Sequence, residues 1–427
     1  MDLREDWDFR GLVSQSTDPE LLERLSHGGT TAYIGFDPTA TSLHLGHLLQ
    51  MSLLRRLQAS GNRPIALAGG GTGLIGDPSF KDAERPLLSL EELHHNVSCV
   101  AVPLEGLLDF SASAGAARAM LLNNADWLTV LGLTQFLRDV GKHFSVNQMV
   151  AKETVRSRLD RDDVGLSFTE FSYPLLQAYD YLHLNREHDC TLQLGGSDQW
   201  GNISTGVEFV RKVTRGPADG LTSPLLLRSD GRKFGKSESG NDNVWLDATL
   251  TSPFAMFQFL LNSDDEVTPQ LVRWLTFLDH EDIRDLDEAL RAAPQERRAQ
   301  RVLARDVVET VHGADAASRA ERASDALFSE AIAELDEATL LEVVADAPTS
   351  TVARDELRVG VGAVDLLVRS GLASSKGDAR RLLDQGGVYL NNARVASDAV
   401  VDLSSSLHDR YLVLRRGSRQ LHLLVVA

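Results

Sequence analysis

Short apolar runs alternate with longer amphipathic stretches along the first half of the chain. Five of the apolar runs are predicted to be β-strands because Gly, Asn or polar residues close each one: "TAYIGF" (31–36), "RPIALAG" (63–69), "ARAMLLNN" (117–124), "CTLQLGG" (190–196) and "SPLLLR" (223–228). The spacing of apolar positions predicts helices between them, at 42–58, 89–109, 169–184 and 198–213. Strands that alternate with helices indicate an α/β fold built on a doubly wound parallel sheet.

The pattern changes twice further along the chain. From about Ser252 the spacing is helical, in segments rich in Ala, Arg and Glu, and near residue 346 it gives way to polar and turn-forming residues. Residues 128–170 interrupt the strand–helix alternation with additional helix, which is typical of an insertion. These shifts predict an α/β domain at 1–228 with a helical insertion at 128–170, a loop at 229–250, an α-helical domain at 251–335, a linker at 336–359 and a small α+β domain at 360–427.

Composition narrows the class of protein. The net charge of −18 disfavours indiscriminate binding of nucleic acid, DNA included, although residues 354–427 carry 11 basic and 8 acidic side chains and suit a local RNA contact. Cys99 and Cys190 are too few for a disulfide framework or a Cys-rich zinc site. No apolar run approaches the ~20 residues that cross a bilayer, and the first residues lack the apolar core of a secretory signal. We therefore expect a cytoplasmic protein with no membrane contact.

Two histidines stand where a strand gives way to a helix, in "TSLHLGH". Thr41 or Ser42 is predicted to cap this helix, and the three-residue spacing places His44 and His47 on one face of its first turn. Free N–H groups make such a turn an anion site, and Gly46 lets a base or ribose lie against the backbone. This pattern suits a nucleoside triphosphate. Ordinary surface histidines are the alternative, and a zinc half-site is disfavoured because no further ligand stands nearby.

Two glycine-containing loops approach phosphate-binding motifs without matching them. In "AGGGTGLIGDPS" the Asp-Pro pair disfavours the helix that a dinucleotide fingerprint opens, which leaves Asp77 at a strand's carboxyl edge, suited to an ammonium group or simply to a turn. In "SDGRKFGKSESGNDN" the glycine spacing is one residue short of a Walker A loop. Lys233 and Lys236 could still close over a triphosphate on a mobile loop, and a solvated hairpin tip is the alternative.

Polar side chains share one face of the helix predicted in "FSYPLLQAYDYL". Tyr173, Gln177 and Asp180 are spaced at i, i+4 and i+7, while leucines and a tyrosine cover much of the remaining circumference. If the helix is buried all round, this stripe must hydrogen-bond something, although polar helix faces more often meet solvent. In "GGSDQWGN", Asp198 follows a strand and either chelates ribose hydroxyls or caps the next helix, and spacing alone does not separate the two.

Two short segments, in this order and separation, resemble the ATP-binding signatures of class I aminoacyl-tRNA synthetases: "HLGH" and "KFGKS". Four longer segments are similar to the bacterial-type tyrosyl-tRNA synthetase family within that class: "YIGFDPTATSLHLGH", "GGGTGLIGDPS", "YPLLQAYD" and "GGSDQWGN". The tail resembles the alpha-L RNA-binding motif of a ribosomal protein, in "LLVRSGLASSKGDARRLLDQGGVYLNNARV". The likeness extends from about Thr31 to the C-terminus. It implies a Rossmann-like catalytic domain, a helical domain on the anticodon side of tRNA and a C-terminal RNA-binding domain.

The resemblance implies a role for each matching residue. For a tyrosine substrate it implies Tyr33 and Asp180 at the phenolic hydroxyl, Asp77, Tyr173 and Gln177 at the ammonium group, and Gln199 on the carboxylate side. For catalysis at the ATP phosphates it implies Thr39, His44, His47, Lys81, Arg85, Lys233 and Lys236. For ATP binding it implies Asp37, Gly46, Asp198 and Lys236. No metal ligand is expected from the chain.

The implied activity is a ligase reaction in two steps. Tyrosine reacts with ATP, accompanied by Mg²⁺, to give tyrosyl-adenylate and pyrophosphate, and the tyrosyl group then passes to the terminal ribose of tRNA(Tyr). The resemblance also implies a homodimer formed through the insertion at 128–170. Two positions depart from the family pattern: Ile34 stands where a smaller residue is usual beside the ribose, and Phe80 replaces a common glycine near Lys81.

Three other functions fit parts of the sequence. A class I enzyme for tryptophan would share both ATP signatures, but it should lack the pair Tyr33 and Asp180 and usually the tail. A different adenylyl transferase with the same HxGH chemistry would activate an acid without binding tRNA. An RNA-binding protein with a relict catalytic fold would account for the tail, but the chain retains both histidines, both loop lysines and Asp198.

Overall fold

The computed structural model describes residues 2–77, 88–151, 155–156, 166–227, 231, 243–327, 329–345, 347–417 and 420–427. Four predicted site residues and one departure from the family pattern lie outside these ranges: Lys81, Arg85, Lys233, Lys236 and Phe80. The chain forms two compact units. The first comprises Met1–Thr251 and Ser263–Leu303, and the second comprises Ser252–Asn262 and Ala304–Ala427.

Within the described ranges, a six-stranded sheet forms the centre of the first unit. Its strands are β1 (Gln15–Ser16), β2 (Thr31–Phe36), β3 (Arg63–Ala68), β4 (Met120–Asn123), β5 (Cys190–Gly196) and β6 (Asp219–Ser223). They lie in the order β1-β6-β5-β2-β3-β4, and each neighbouring pair is parallel except β1 with β6. The predicted α/β fold with a parallel sheet is confirmed.

The central strands follow the apolar runs of the sequence closely. All but one residue of β2 and of β5 are buried, which is typical of parallel strands covered by helices on both faces, and both strands have the predicted bounds. The prediction of a strand at 223–228 is wrong, because β6 ends at Ser223 and Pro224 has no N–H to extend the ladder. The apolar Leu225 and Leu226 that suggested a strand instead line the cavity described below.

Helices connect the strands and cover the sheet. In the described part of the first 251 residues, the helices with stated bounds are α1 (Leu3–Arg10), α2 (Leu21–Ser26), α3 (Leu45–Ala59), α4 (Leu90–Leu107), α5 (Ala125–Leu128), α6 (Leu133–Asp139), α7 (Val146–Val150), α8 (Phe168–His188) and α9 (Trp200–Thr214). The short helices α6 and α7 lie in the predicted insertion at 128–170. α8 packs on β5 and on α9, and buried side chains such as Tyr181, Leu184 and Ile203 belong to the core of this unit.

The strand order creates a crevice at the carboxyl edge of the sheet. From β2 the chain proceeds to β3 and β4 on one side, whereas β5 and β6 lie on the other side of β2. Connections therefore leave the edge in opposite directions between β2 and β5, and open α/β sheets bind ligands at such a point. Segments that are far apart in the chain meet here because parallel strands end at the same edge.

A buried ionic cluster fixes α3, the helix that follows β2. Asp6 of α1 accepts hydrogen bonds from Arg10 at 2.6 Å and from Arg56 of α3 at 2.9 Å, and His280 Nε2 lies 3.0 Å from the same carboxylate. Burial raises the pKa of Asp6, but the two arginines outweigh it, so the pKa lies below its usual value. Arg56 also donates to the carbonyl of Thr276 at 2.5 Å. The buried carboxylate is thus paired with two guanidinium groups, and α3 is held to α1.

The chain after residue 251 is helical before it ends in a small α+β module. Its helices are α10 (Pro253–Leu261), α11 (Thr268–Leu275), α12 (His280–Ala292), α13 (Arg298–His312), α14 (Ala314–Ala326), α15 (Glu337–Val343), α16 (Arg354–Val359), α17 (Ala363–Arg369) and α18 (Lys376–Asp384). α11 and α12 belong to the first unit, whereas α10 packs against α14 in the second. No helix within the described ranges is both long and apolar enough to span a bilayer.

The module is built on a sheet with the order β10-β9-β12-β13-β7, and β8 pairs separately with β11. The strands are β7 (Thr349–Val352), β8 (Val361–Gly362), β9 (Val388–Leu390), β10 (Ala393–Arg394), β11 (Val400–Val401), β12 (Tyr411–Arg416) and β13 (Gln420–Val426). Leucine and valine side chains from this sheet and from α17 and α18 form a separate hydrophobic core.

The structure differs from the predicted linker at 336–359. This stretch contains α15, β7 and α16, and β7 pairs in parallel with β13 at the other end of the module. The polar sequence "TSTV" becomes a strand because of that remote partner, which composition does not reveal. The other predicted domain boundaries stay predictions.

A tight turn between β9 and β10 attaches the module to the helices of the second unit. Asn391 and Asn392 have φ angles of 47° and 63°, which asparagine tolerates better than most residues. The amide of Asn392 donates to the carbonyls of Leu327 and Ser329, both at 2.9 Å, and accepts from Arg415 at 2.8 Å. The hairpin tip is therefore a buried anchor rather than a free loop.

Candidate active site

The crevice at the carboxyl edge of the first sheet contains a cavity of about 490 Å³. Every predicted site residue that the structure describes lines it: Tyr33, Asp37, Thr39, His44, Gly46, His47, Asp77, Tyr173, Gln177, Asp180, Asp198 and Gln199. Lys81, Arg85, Lys233 and Lys236 fall on parts of the chain that the structure does not describe. The structure thus brings the described set together in one place, while the role of each side chain stays a prediction.

Asp180 is a buried carboxylate that two side chains hold in place. The indole Nε1–H of Trp127 donates to Oδ1 at 2.7 Å, and the amide of Asn124 donates to Oδ2 at 2.9 Å. Burial raises the pKa of Asp180 to about 7, although both hydrogen bonds act in the opposite direction. In its ionised form this group only accepts hydrogen bonds, so it favours a ligand that donates one.

Tyr33 supplies a complementary polar atom in the same cavity. Its side chain is 1% exposed, and its hydroxyl is buried without a hydrogen-bond partner among the described residues. Burial raises the pKa of Tyr33 well above its usual value, and the charge of Asp180 acts in the same direction, so the hydroxyl keeps its proton. An unsatisfied buried hydroxyl costs about 1–3 kcal/mol. A ligand hydroxyl that donates to Asp180 and accepts from Tyr33 would satisfy both groups.

Further carboxylates and amides form another part of the cavity wall. Tyr173 Oη donates to Asp37 Oδ2 at 2.9 Å, and Gln199 Nε2 donates to Asp77 Oδ2 at 2.6 Å. Gln177 Nε2 lies 3.4 Å from Gln199 Oε1, and the Oε1 of Gln177 is buried without a partner in the described part of the chain. Two carboxylates and a carbonyl oxygen suit a cation with several N–H donors, such as an ammonium group.

α3 begins at the cavity with His44 as its N-cap, so the prediction of Thr41 or Ser42 is wrong. His44 Nδ1 accepts from the N–H of Gly46 at 3.1 Å, and His47 Nδ1 accepts from the N–H of His44 at 3.2 Å. Since both Nδ1 atoms accept, each ring when neutral carries its proton on Nε2. Burial lowers the pKa of His44 to about 4, so near neutral pH this imidazole presents a donor rather than a charge.

Ser42 has a long-range partner, which explains why it does not cap α3. Its hydroxyl accepts from the N–H of Asp247 at 3.1 Å and donates to the carbonyl of Leu43 at 2.8 Å. The N–H of Leu45 donates to the carbonyl of Val244 at 2.8 Å. Residues in the last part of the loop predicted at 229–250 are therefore attached to the start of α3.

Gly69 allows a carboxylate to lie across the end of β3. A Cβ at this position would lie 2.1 Å from Asp37 Oδ1 and 2.7 Å from Thr72 Oγ1. Thr72 Oγ1 donates to the same Asp37 oxygen at 2.8 Å. Any side chain at position 69 would displace this pair, so the site requires glycine here.

Sequence analysis missed Asn124 and Trp127, the side chains that hold the buried carboxylate of Asp180. Asn124 also links Asp180 to the half-buried Asp37 through Thr72, because its amide donates to Thr72 Oγ1 at 3.0 Å. A signal was present in "NNADWL", where polar residues and a tryptophan follow a strand at the ligand-binding edge. Gln50 and Asn243 were also missed; both line the cavity, and each has a buried oxygen with no partner among the described residues.

Family models cover most of the chain. One described as "tRNA synthetases class I (W and Y)" matches residues 25–329. Another, described as "Tyrosine--tRNA ligase SYY-like C-terminal domain", matches residues 340–424. The second match includes both β7 and α16, in agreement with the observed structure of that stretch.

Curated relatives are similar over nearly the whole chain. A "Tyrosine--tRNA ligase" of Roseiflexus castenholzii is 49% identical over 420 residues, which are 97% of this chain and 97% of that protein. One of Parabacteroides distasonis is 45% identical and covers 100% of both chains. The solved structure of a C-terminally truncated mitochondrial tyrosyl-tRNA synthetase from Aspergillus nidulans has a TM-score of 0.69 and 30% identity, over 77% of this chain and 94% of that one. The resemblance carried by the motifs is confirmed.

The raised pKa of Asp180 predicts a specific pH dependence of stability. The folded chain binds this proton more tightly than the unfolded chain, whose carboxyl has the usual value of 3.8, so the contribution is lost as pH rises toward about 7. Relative to Asp180→Asn, the free energy of unfolding of the natural chain should fall by up to about 1.4 kcal/mol per pH unit over this window and then level off. Urea denaturation at several pH values between about 5 and about 8 measures this; parallel curves for the two chains would contradict the assignment.

Proposed function

Because the chain belongs to the family of class I tRNA synthetases (W and Y), we propose that it attaches L-tyrosine to tRNA(Tyr) in two steps. The observation that carries the choice of tyrosine is the buried pair of Tyr33 and Asp180. A phenolic hydroxyl has one donor and an acceptor oxygen, which match these two groups. Phenylalanine would leave both unsatisfied, and the indole of tryptophan, which only donates, would leave Tyr33 unsatisfied.

In the first step the tyrosine carboxylate attacks the α-phosphorus of ATP in line. A new oxygen–phosphorus bond forms while the bond to the pyrophosphate oxygen breaks, which gives tyrosyl-adenylate. In the second step the terminal ribose hydroxyl of tRNA attacks the tyrosyl carbonyl carbon, and AMP leaves. No side chain of the protein acts as a nucleophile, so catalysis depends on positioning and on donors placed where negative charge develops.

The N-terminal turn of α3 is the proposed site of the ATP phosphates. The positive end of the helix dipole favours anions and the Nε2–H of His44 adds a neutral donor, whereas the N–H groups of Leu45 and Gly46 already have partners. Thr39 and His47 line the same cavity and are proposed to bind phosphate oxygens. Four basic residues that the resemblance implies are proposed to face the pyrophosphate: Lys81, Arg85, Lys233 and Lys236.

The nucleoside is proposed to lie between the start of α3 and the end of β5. Gly46, Ile34 and Asp198 line the cavity there. A Cβ at position 196 would lie 2.8 Å from Asp198 Oδ1 and 2.9 Å from Leu225 Cδ2, so Gly196 leaves room for both side chains. Asp198 is proposed to bind the ribose hydroxyls.

Mg²⁺ is proposed to accompany ATP. The ion neutralises part of the triphosphate charge and keeps most of its ligands as water and phosphate oxygens. Among the described residues, no group of three or more His, Cys, Asp or Glu side chains is placed to hold a metal ion. The chain's own contribution is to hold the phosphates at α3, and the ion enters with them.

The C-terminal module and the helices between 251 and 335 are proposed to bind tRNA. Arg380 and Arg381 of α18 and Arg394 of β10 are exposed on the C-terminal module, where they can meet phosphates. The helices between 251 and 335 are proposed to contact the anticodon side, whose unpaired bases expose their hydrogen-bonding edges. We propose a cytoplasmic location for the protein, because ATP and tRNA are both available in the cytoplasm.

The predicted insertion exposes an apolar surface for which a second copy of the chain is the proposed partner. Five large apolar side chains in its described part are each more than half exposed: Val130, Leu133, Leu137, Val146 and Phe168. Exposed apolar side chains in such number favour an interface, and closed two-fold dimers are the commonest assembly. No element among the described residues covers these side chains, so dimerisation is the proposed means of burying them.

Exchange of pyrophosphate into ATP, measured separately with each of the twenty amino acids, tests the proposed function. Only tyrosine should support exchange, and the same preparation should then charge tRNA(Tyr). Exchange that depends on tryptophan would contradict the pocket assignment. Exchange with tyrosine but without charging of any tRNA would instead indicate an adenylyl transferase.

Tyr33→Phe should lower kcat/KM for tyrosine by roughly tenfold, because the substrate hydroxyl loses one hydrogen bond. The KM for ATP should not change, and selectivity against phenylalanine should fall. Tyr181→Phe is the matched control, since its hydroxyl donates to the carbonyl of Asp219 at 2.8 Å and the residue does not line the cavity. Equal losses in tyrosine and ATP parameters for Tyr33→Phe would argue against the assignment.

Two substitutions of His44 should separate its capping role from its role at the phosphates. Asn is a good N-cap, so His44→Asn should preserve stability, whereas His44→Ala should lose about 1 kcal/mol. Both should slow adenylate formation by roughly a hundredfold, with little change in the KM for tyrosine, because both lack the Nε2–H donor. Pyrophosphate exchange and urea denaturation provide the two readouts. A normal rate for His44→Asn would show that only the cap matters.

Leu133→Asp combined with Leu137→Asp should convert a dimer into a monomer, because charges in an apolar interface are costly to bury. Light scattering after size exclusion should show the mass fall from twice that of the chain to that of one chain. Val359→Asp is the matched control, since this valine is also highly exposed but belongs to the second unit. A single-chain mass for the natural protein would refute the proposed dimer.

A further inference from the structure

Trp127 is held from two directions in the first unit. Its indole Nε1–H donates to Asp180 Oδ1 at 2.7 Å, and its ring stacks on the imidazole of His183, with 4.1 Å between ring centroids and 20° between planes. Asp180 and His183 lie three residues apart on α8, on neighbouring turns of one face. The indole therefore connects a carboxylate inside the cavity to an imidazole outside it, because the described lining of the cavity includes Asp180 but not His183.

Trp127 lies on a single short turn of helix. α5 has four residues, and the N–H of Ala125 at its start donates to Asn123 Oδ1 at 3.0 Å. A single turn of helix is only marginally ordered by its own hydrogen bonds. Packing in the hydrophobic core, where Trp127 is 9% exposed, therefore contributes to the orientation of the indole, and the stacked face of His183 restrains the plane of the ring.

The plane of the indole matters because hydrogen bonds depend on direction as well as distance. A tilt of the ring would lengthen or bend the Nε1–H contact to Asp180, which is buried and 2% exposed. Neither ring nitrogen of His183 makes a hydrogen bond within the described part of the chain, so its contribution to this arrangement is its flat face. Stacked aromatic pairs prefer a defined offset geometry, which restrains both rings.

We propose that His183 is a positioning residue for substrate selectivity: by stacking on Trp127 it aims the indole N–H at Asp180 and thereby holds the carboxylate where a phenolic hydroxyl binds. The proposal rests on the proposed function and deepens it. His183 does not touch the substrate. It acts through Trp127 and should affect recognition of the amino acid rather than of ATP.

The test compares His183→Ala, which removes the stacked ring, with His183→Phe, which retains a flat ring. His183→Ala should raise the KM for tyrosine in pyrophosphate exchange by roughly three- to tenfold and lower the preference for tyrosine over phenylalanine by a similar factor. The kcat and the KM for ATP should stay within about twofold of the natural chain, as expected for a loss confined to the amino-acid pocket. His183→Phe should restore both the KM and the preference. His188→Ala is the matched control, because its ring lies 6.4 Å from that of His183 in an edge contact.

A double-mutant cycle with Trp127→Phe establishes the route of the effect. Without the indole N–H, His183→Ala should cause no further loss of selectivity, since both changes remove the same support of Asp180. Additive losses would overturn the proposal, as would equal losses in His183→Ala and His183→Phe or an unchanged preference for tyrosine in His183→Ala. An intact chain that shows no tyrosine-dependent exchange would overturn the proposed function and this role with it, whereas normal exchange with unchanged selectivity in His183→Ala would overturn only the role of His183.

Discussion

The position of β2 between β3 and β5 is the constraint on which the site depends. Parallel pairing on both sides sends the carboxyl ends of these strands to one edge, and the reversal of strand order there separates their connections. Asp37, Thr72, Asn124 and Asp198 follow β2, β3, β4 and β5 respectively, so four segments that are distant in sequence contribute to a single crevice. A different order of strands would separate the same residues along the carboxyl edge of the sheet.

Burial gives the two ends of this crevice different chemistry. At one end, burial raises the pKa of the Asp180 carboxyl to about 7, and the side chains of Asn124 and Trp127 hold this carboxyl in place as neutral hydrogen-bond donors. At the start of α3 the same effect keeps His44 uncharged, so that the helix terminus rather than a side-chain charge attracts anions. Burial thus favours a neutral form of both groups, and the function we propose uses each as one side of a directed hydrogen bond.

Local signals in the sequence predicted the central strands and the residues that follow them. β2 and β5 have their predicted bounds because glycine or Asp-Pro clearly ends each apolar run. Since parallel strands end at the same edge of a sheet, the polar residues that follow them then lie close together. What could not be predicted depends on distant partners. Ser42 would be a good N-cap, but its hydroxyl bonds Asp247, which is 205 residues away. Likewise, nothing in "NNADWL" shows that Trp127 reaches a carboxylate on α8.

The ionic cluster beneath α3 limits how related sequences can diverge. Asp6 pairs with both Arg10 and Arg56, and a guanidinium without a carboxylate partner in that buried setting would be strongly unfavourable. A single substitution of Asp6 would therefore destabilise α3, the helix that begins with His44 and His47. Substitutions at positions 6, 10 and 56 should therefore occur together, so that three apolar residues replace the three charged ones. This coupling is expected even though none of the three residues lines the cavity.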